Sequence, residues 1–242
     1  MWRMWQLLDS AFPTGGFAHS AGVEAVYRSG LFLGPRGSEA LEAHLLGSAT
    51  SSLSLLAPFL TVAHRAVECS AGDMIERLAH AHETLDTHLV GNPVARRASL
   101  AAGSALVRAC GAAFDASSQC SAVVAALHAR GDVHHAVALG ACSASLGVAL
   151  PAAMRALLFL QLRDGCAAAC RLGVLGPMAA AHLQARLAPV CEALIAEWTL
   201  AQTSSTDADY DEALLSSAGG AYPLGDALQS GHDALFTRLF QS

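Results

Sequence analysis

The sequence predicts an all-α protein, a single domain of about eight to ten helices over residues 1–242. Alanine and leucine dominate the chain, whereas the β-branched and aromatic residues that favour strands are sparse. Residues that begin and end helices recur along the chain, and no internal repeat divides it. Hydrophobic residues make up 53% and charged residues only 14%, which suits a large buried core. We therefore expect one helical bundle, with residues 230–242 as a terminal tail.

Two helices are predicted in the middle of the chain. Asp73 followed by Glu76 resembles a capping box and predicts a helix that ends at about Leu89. Asn92 before Pro93 predicts an N-cap and the first residue of the next helix. That helix carries small residues three and four positions apart, a pattern that lets a neighbouring helix approach closely. These residues are Val94, Ala98, Ala101, Ala105 and Ala109.

Three further helices are predicted in the second half. The first covers 134–146, the second covers 151–173, and the third begins at Pro177. Pro189 is expected to kink or break the third helix, because proline lacks the N–H that a helix interior needs. The apolar stripe of this helix is predicted to be Leu183, Leu187, Val190, Leu194 and Trp198.

The charge and the cysteines restrict the class of protein. The formal net charge is −6, no lysine is present, and the arginines form no basic stripe, so nucleic acid is not expected as a ligand. The seven cysteines are odd in number and contain no CxxC pair. They lie in alanine-rich stretches, which predicts small buried thiols in a reducing compartment. We expect a cytoplasmic protein.

One stretch is nominally long enough to cross a membrane. Residues 45–63 are nineteen residues without charge, but they include several serines and threonines and Pro58. The N-terminus lacks the charged start and apolar run of a signal peptide. We expect a buried helix of a soluble protein, and a helical membrane-associated protein is the alternative.

One segment breaks the helical pattern. Residues 10–24 read SAFPTGGFAHSAGVE, in which the Pro13–Gly16 run cannot continue a helix. Phe12 and Phe17 flank the run and are expected to anchor it, and a helix should resume near residue 20. Such a turn can bind an anion, position a nucleophile, dock a partner protein, or serve only as a structural turn.

The first two of these uses lack support in the sequence. An NTPase is excluded because the chain has neither a GxxxxGK[ST] pattern nor any lysine. His19 and Ser20 have no GxSxG elbow and no acidic partner at a recognisable spacing, so they do not indicate a nucleophile. A docking turn and a purely structural turn remain.

The string LLDSAFPTGGFAHSAGVEA resembles the N-terminal signature of the urease accessory protein F (UreF) family. In that family a leucine-rich start precedes Pro-x-Gly-Gly-Phe-x-x-Ser-x-Gly-x-Glu. The matching residues are Pro13, Gly15, Gly16, Phe17, Ser20, Gly22 and Glu24. The likeness continues through residues 82–109, 134–140, 171–176 and 238–240. The chain departs from the family at Val23, Val174 and Pro177, and lacks an acidic residue near 55–59.

The resemblance implies a UreF-like helical bundle that is a homodimer and not an enzyme, with no cofactor or bound metal. Its partners would be a second accessory protein (type D, also called H), a nickel-carrying GTPase (type G) and apo-urease. Together they would insert nickel into urease during its maturation, with this chain as chaperone and regulator of the GTPase. Neither nucleic acid nor a membrane is implied as a partner.

Three regions receive partner-binding roles from the resemblance. The 12–24 segment would form a partner surface, with Glu24 as a charged contact or a helix-stabilising group. Arg171 would contact the dimer mate or the GTPase, since a guanidinium can pair with a carboxylate or a phosphate. The tail would become ordered on binding the second accessory protein. The residues are Phe12, Pro13, Thr14, Gly15, Gly16, Phe17, His19, Ser20, Glu24, Arg171, Arg238, Leu239 and Phe240.

The histidines leave one enzymatic alternative open. His80 and His88 share a helix face that His82 cannot join, so no dedicated nickel site is predicted. The alternative is a helical enzyme that uses His134, His135 and a nearby acid such as Asp132. A pocket lined by groups of perturbed acidity would favour it, whereas the scaffold hypothesis predicts an apolar surface patch with a two-fold self-contact.

Overall fold

Helices account for the regular structure of the part of the chain that the structure describes. In this computed structural model those residues are 2–32, 34, 36–114, 118–201 and 208–241. They form eleven α-helices, ten of them at least seven residues long, and no strand, which confirms the all-α prediction. The helices are α1 (Trp2–Leu8), α2 (Val23–Arg28), α3 (Gly37–Ala66), α4 (Ala71–His88), α5 (Pro93–Phe114), α6 (Ser118–His128), α7 (His135–Ser145), α8 (Leu150–Arg171), α9 (Pro177–Ala201), α10 (Ala208–Ser216) and α11 (Pro223–Ser230).

Helix α3 forms the centre of the bundle and packs against α4, α7, α8 and α9. It is the one described helix with the length and apolar character to cross a membrane, and 56% of its most apolar window is buried inside the protein. A central core helix has this composition, so the buried helix expected over 45–63 is confirmed. The described residues thus give no clear sign of a membrane protein.

Glycines set the closest helix contacts of the core. A Cβ atom on Gly140 of α7 would lie 2.3 Å from the carbonyl oxygen of Leu60 in α3. A Cβ atom on Gly103 of α5 would lie 2.0 Å from the carbonyl oxygen of Val133, just before α7. Both distances are far below van der Waals contact, so α7 can sit this close to α3 and α5 only because these positions lack a side chain.

The start of α5 agrees with the start predicted from the sequence, and the start of α4 differs from it. The Oδ1 atom of Asn92 accepts a hydrogen bond from the Ala95 N–H at 3.0 Å, which confirms the predicted cap of α5. Helix α4 begins three residues earlier than the Asp73–Glu76 pattern predicts, because that pattern would make Asp73 the N-cap. Ser70 is its N-cap, because the hydroxyl of Ser70 accepts from the Asp73 N–H at 3.3 Å.

The predicted apolar stripes are shifted in two helices. In α5 the buried face contains Gly103 and Leu106, whereas Ala101 is exposed. Helix α9 continues through Pro189, so a break at this residue, one of the two predicted outcomes, does not occur. This proline is exposed, where water can satisfy the carbonyl that loses its partner. The buried residues of α9 are Ala180, Leu183, Leu187, Cys191 and Ile195.

All seven cysteines are free thiols, and five of them are buried.

The last described residues pack against the segment that precedes α2. A 3₁₀ helix (Gly231–Ala234) follows α11, and residues 235–241 are not helical. The Gln241 N–H donates to the carbonyl of Ala18 at 2.9 Å. We call residues 235–241 the strap, and residues 12–24 the N-terminal motif.

Candidate functional site

The first half of the N-terminal motif is a turn held against α5 and α8. Gly15 has a φ of 75°, the left-handed conformation that favours glycine. A Cβ atom on Gly16 would lie 2.7 Å from Oδ2 of Asp164, so the turn sits directly on α8. The Phe12 ring stacks on Phe114, with 6.0 Å between the ring centroids, as an anchor should. Phe17 belongs to the 3₁₀ helix Gly16–Ala18, and its side chain lies outside the described part of the structure.

The second half of the motif turns the chain into α2. Ala21 and Gly22 have φ values of 52° and 82°, two left-handed residues in succession. The buried hydroxyl of Ser20 accepts a hydrogen bond from the Glu24 N–H at 3.3 Å. This geometry points the first turn of α2 inward and places Glu24 inside the protein.

Glu24 is completely buried and binds the strap. Its Oε1 accepts the Leu239 N–H at 2.7 Å, and its Oε2 accepts the Phe240 N–H at 3.0 Å. The ring Nε2 of buried His232 lies 3.0 Å from Oε2. Burial alone would raise the pKa of Glu24, but these hydrogen bonds outweigh it and lower the pKa below its usual value. The carboxylate is therefore ionised at neutral pH.

The strap is ordered in the single chain. Phe240 is 5% exposed, and the guanidinium carbon of Arg171 lies 4.1 Å from the centre of its ring. Arg238 pairs with Asp233 at 3.1 Å on the outside. The sequence predicted a tail that becomes ordered on binding a partner; the structure differs, because the buried carboxylate and the Phe240 contact already fix it.

Among the predicted site residues, some are buried, some are exposed, and others, including Phe12 and Arg171, are partly buried. Ser20, Glu24 and Phe240 are buried and cannot touch a partner while the strap stays in place. Pro13, Gly15, Arg238 and Leu239 are exposed, and Leu239 has 56% of its area accessible. Phe236, which is fully exposed on the strap, was not singled out from the sequence, because no local pattern there indicates its exposure.

A cleft of about 510 Å³ lies beneath the motif. His19, His44, His135 and Asp164 line it with other residues from the motif, α3, α5, α8 and α11. Burial lowers the pKa of His44 and of His135 to about 4, and it lowers the pKa of His19 despite nearby Asp164. Burial also raises the pKa of Asp164, although Arg163 opposes this. These histidines are neutral at pH 7.

The hypothesis of a histidine-based enzyme gains a series of hydrogen-bonded polar side chains from the structure, but its predicted acid lies elsewhere. The ring of His134 lies between a carboxylate and a hydroxyl, and the three groups form an acid–imidazole–hydroxyl series. His134 Nε2 lies 3.1 Å from Asp86 Oδ1, and its Nδ1 lies 3.0 Å from the Ser99 hydroxyl, which faces the cleft. The predicted acid, Asp132, instead accepts a hydrogen bond from Ser104 at 3.2 Å.

The hydrogen bonds of this series connect helices α4, α5 and α7. The Ser99 hydroxyl also accepts the His135 N–H at 3.2 Å, so it satisfies the start of α7. Ser99 lies within α5, where backbone N–H groups bond to carbonyls of the preceding turn and cannot stabilise an oxyanion. Asp86 and Ser99 were not singled out from the sequence, because nothing in their spacing shows that α4, α5 and α7 meet here.

No arrangement of the described side chains offers three or more histidine, cysteine, aspartate or glutamate groups to one metal ion. The histidines considered for nickel are used elsewhere. His80 pairs with Glu212 at 2.8 Å, and the His82 ring contacts the tilted His134 ring with 4.9 Å between ring centroids. His88 meets the edge of Phe59.

The fold and the site define a helical protein whose buried polar groups hold chain segments together and which exposes large apolar side chains on several elements. The chain belongs to the UreF family of urease accessory proteins, whose sequence profile matches residues 36–188. It is 35% identical to urease accessory protein F of Arabidopsis thaliana over 100% of this chain and 92% of that protein. It is 33% identical to the protein of the same name from Oryza sativa subsp. japonica, over 99% of this chain and 84% of that protein.

A bacterial relative shows the same coverage. Urease accessory protein UreF of Rhodopseudomonas palustris (strain BisB18) is 30% identical over 100% of this chain and 92% of that protein. These proteins are named for an accessory role and not for a reaction, which supports a role in urease maturation alongside other urease accessory proteins.

Proposed function

We propose that this chain is a non-enzymatic scaffold and chaperone for nickel insertion into apo-urease in the cytoplasm. With a second accessory protein of the D or H type, it would dock a nickel-carrying GTPase of the G type. The observation that carries the proposal is the exposed apolar edge of the strap, where Phe236 is fully exposed and Leu239 is 56% exposed. Large apolar side chains that lie together on a surface favour contact with another protein.

The partner surface would consist of the strap edge and the exposed part of the motif. Leu239 and Arg238 present an apolar and a cationic group, and Pro13 and Gly15 form the adjoining turn. Phe12, Thr14, Gly16 and His19 belong to the same turn and are partly buried. Ser20, Glu24 and Phe240 hold the surface in place from inside. Arg171, which is partly exposed and lies over the Phe240 ring, would contact the dimer mate or the GTPase beside the strap.

A second surface supports self-association. The outer face of α9 exposes Met178 by 83% and Leu200 by 72%, and Val190 lies between them. A two-fold axis can pair such a face with its copy in another chain. We propose this face as the homodimer contact.

The physical work of the scaffold would be differential binding. A protein that binds one conformation of a GTPase dimer more tightly than another shifts the population toward it. Such a protein needs a rigid body and a shaped surface, and no reacting group.

The experiment is co-expression with the D-type protein, the GTPase and apo-urease, scored by complex formation and nickel-dependent urease activity. We expect Phe236→Asp to reduce both by at least about tenfold, since a central apolar contact contributes more than about 1.4 kcal/mol. Ile75→Asp is the matched control, because Ile75 is also exposed (47%) but lies on α4. If Phe236→Asp assembles and activates as the unaltered chain does, the strap edge is not the docking surface.

A further inference from the structure

Two neighbouring residues of α8 contact both ends of the turn that opens the N-terminal motif. The guanidinium of Arg163 donates to the carbonyl of Leu8, the last residue of α1, at 2.7 Å. The end of a helix leaves such carbonyls without a partner inside the helix. Asp164 lies against Gly16, where a Cβ atom would come within 2.7 Å of its Oδ2. One dipeptide therefore supports the chain on either side of residues 9–15.

The two side chains also hold each other. Nε of Arg163 donates to Oδ1 of Asp164 at 2.8 Å, and the two side chains are only 17% and 25% exposed. A hydrogen bond between charged groups that are largely removed from water is strong. Because Oδ1 is bound to Arg163, the other oxygen stays against Gly16 and cannot turn away without breaking this bond.

The two adjacent glycines of the turn are required for different reasons. Gly15 has a φ of 75° and no atom within 4 Å of its Cβ position, so its backbone conformation alone requires glycine. Gly16 does not have a positive φ, but a Cβ atom there meets the carboxylate of Asp164. A side chain at position 16 would have to displace this carboxylate or lift the turn away from α8.

Part of the supported turn is open to solvent. Pro13 and Gly15 are exposed, whereas Gly16 is half-buried and Phe12 stacks on Phe114. Residues 9–15 lie between the end of α1 and the 3₁₀ helix, so no helix or strand fixes their shape. The shape that this turn presents to solvent therefore depends on the contacts at its two ends.

We propose that Arg163 and Asp164 are positioning residues, which fix the exposed turn at Pro13 and Gly15 in the shape that a partner protein recognises. Gly16 allows the turn to rest on the Asp164 carboxylate. The two side chains act without touching the partner, because a turn that is ordered beforehand spares the partner the entropy cost of ordering it. Recognition of the turn rests on the proposed function, whereas its support is a property of the free chain.

The support is tested in the free chain by a double-mutant cycle, with amide hydrogen exchange of the peptide 9–19 as the measurement. We expect Gly16→Ala to speed exchange at least about fivefold, but less than about twofold in an Asp164→Ala background, where the methyl group has room. Gly15→Ala is the matched control, because its effect comes from φ and should be equal in both backgrounds. Equal effects of Gly16→Ala in the two backgrounds overturn the support.

The arginine is tested by a separate pair of variants. Arg163→Met keeps an aliphatic stem but loses the bonds to Leu8 and Asp164, and should speed exchange in 9–19 about fivefold while α3 is unaffected. Arg155→Met on the same helix is the matched control, since it removes an exposed pair with Glu192 and should change nothing in 9–19.

Two results of this second test contradict the proposal. Exchange in 9–19 that is unchanged in Arg163→Met overturns the support, and exchange that is faster throughout the chain, α3 included, overturns the positioning role. Circular dichroism shows whether each variant is folded. If Arg163→Met does not fold, the double-mutant cycle decides; if Asp164→Ala does not fold, Arg163→Met decides.

Recognition is tested by the affinity of the D-type accessory protein for the folded variants. We expect Gly16→Ala and Arg163→Met to weaken binding at least about fivefold, and Arg155→Met to leave it unchanged. The loss from Gly16→Ala should shrink to less than about twofold in the Asp164→Ala background, a rescue that general damage to the fold would not produce.

The outcomes separate this inference from the proposed function. Unchanged binding by variants whose turn exchanges faster overturns the positioning role and leaves the proposed function standing. Failure of the D-type protein to bind the unaltered chain overturns the proposed function and, with it, the positioning role. The support of the turn by α8 is judged in either case by the free-chain cycle.

Discussion

The core around α3 and α7 and the strap over the N-terminal motif are both tightly held, but by different means. In the core, α7 lies so close to α3 that a Cβ atom on Gly140 would come within 2.3 Å of the Leu60 carbonyl oxygen. In the strap, one carboxylate holds two backbone N–H groups. Contacts of the first kind involve many atoms and fail only with the fold, whereas contacts of the second kind can open locally.

Each region also contains an acid–imidazole pair with a buried histidine, and the two pairs hold different parts of the chain. Asp86 and His134 join side chains from α4 and the start of α7, and Ser99 of α5 completes the connection. Glu24 and His232 face each other with both side chains fully buried, but the other partners of Glu24 belong to the backbone of the chain end. The first pair fixes helices to one another, whereas in the second Glu24 also accepts the backbone N–H groups of Leu239 and Phe240.

The largest expected effect is a loss of folding stability when the close contact between α3 and α7 is disrupted. Gly140→Ala should destabilise the fold by on the order of 3 kcal/mol or more, because the new methyl group meets backbone and forces α3 and α7 apart. Urea unfolding measures this. Gly72→Ala in α4 is the control, since no atom lies within 4 Å of its Cβ position and alanine favours helix. A Gly140→Ala protein as stable as the control would show that the helices are not closely packed.

An intermediate effect is expected from pH, because His134 changes its charge on unfolding between pH 6.5 and 4 whereas Glu24 stays ionised through most of this range. Burial, helped by the neighbouring His82, lowers the pKa of His134 to about 4 although Asp86 opposes it. The unfolded chain takes up this proton near pH 6.5 and the folded chain only near 4, so stability falls as pH drops through that window. His44 and His135 act in the same sense. Glu24, with its pKa lowered, stays ionised through most of this range.

The measurement is urea unfolding at pH 7.5, 6 and 5. We expect a loss of about 1 kcal/mol for each of these histidines by pH 5, after allowance for solvent around the partly exposed Asp86. His134→Gln should weaken the dependence on pH by about one proton. Stability that stays constant from pH 7.5 to 5 would mean that these rings are not held neutral.

The smallest expected effect concerns the strap alone. Arg171→Leu keeps apolar cover over the Phe240 ring but removes the cation, and should lower the opening free energy of the strap by about 1 kcal/mol. Hydrogen exchange in 236–241 should then be about fivefold faster, with global unfolding unchanged. Asp233→Asn, which affects only exposed ion pairs, should leave exchange as it is. Equal exchange in both variants would show that the Arg171 contact adds nothing.

Local patterns predicted the helices and several of their ends, because these depend on neighbouring residues. The Asn92–Pro93 start and the left-handed Gly15 are examples in which the sequence pattern alone was sufficient. The same patterns failed where a choice depended on another helix. In α9, Cys191 and not Val190 faces the core, and Pro189 does not end the helix because its side faces solvent.

The sequence by itself determined that this chain is helical, poor in charge and similar to the UreF family, because composition, caps and motif residues are local properties. Only the tertiary structure decided that Glu24 faces inward to the strap, and that Asp86, Ser99 and His134 form one series. The physical reason is distance along the chain: Glu24 and Leu239 are 215 positions apart, and no local pattern shows that the folded core brings them together.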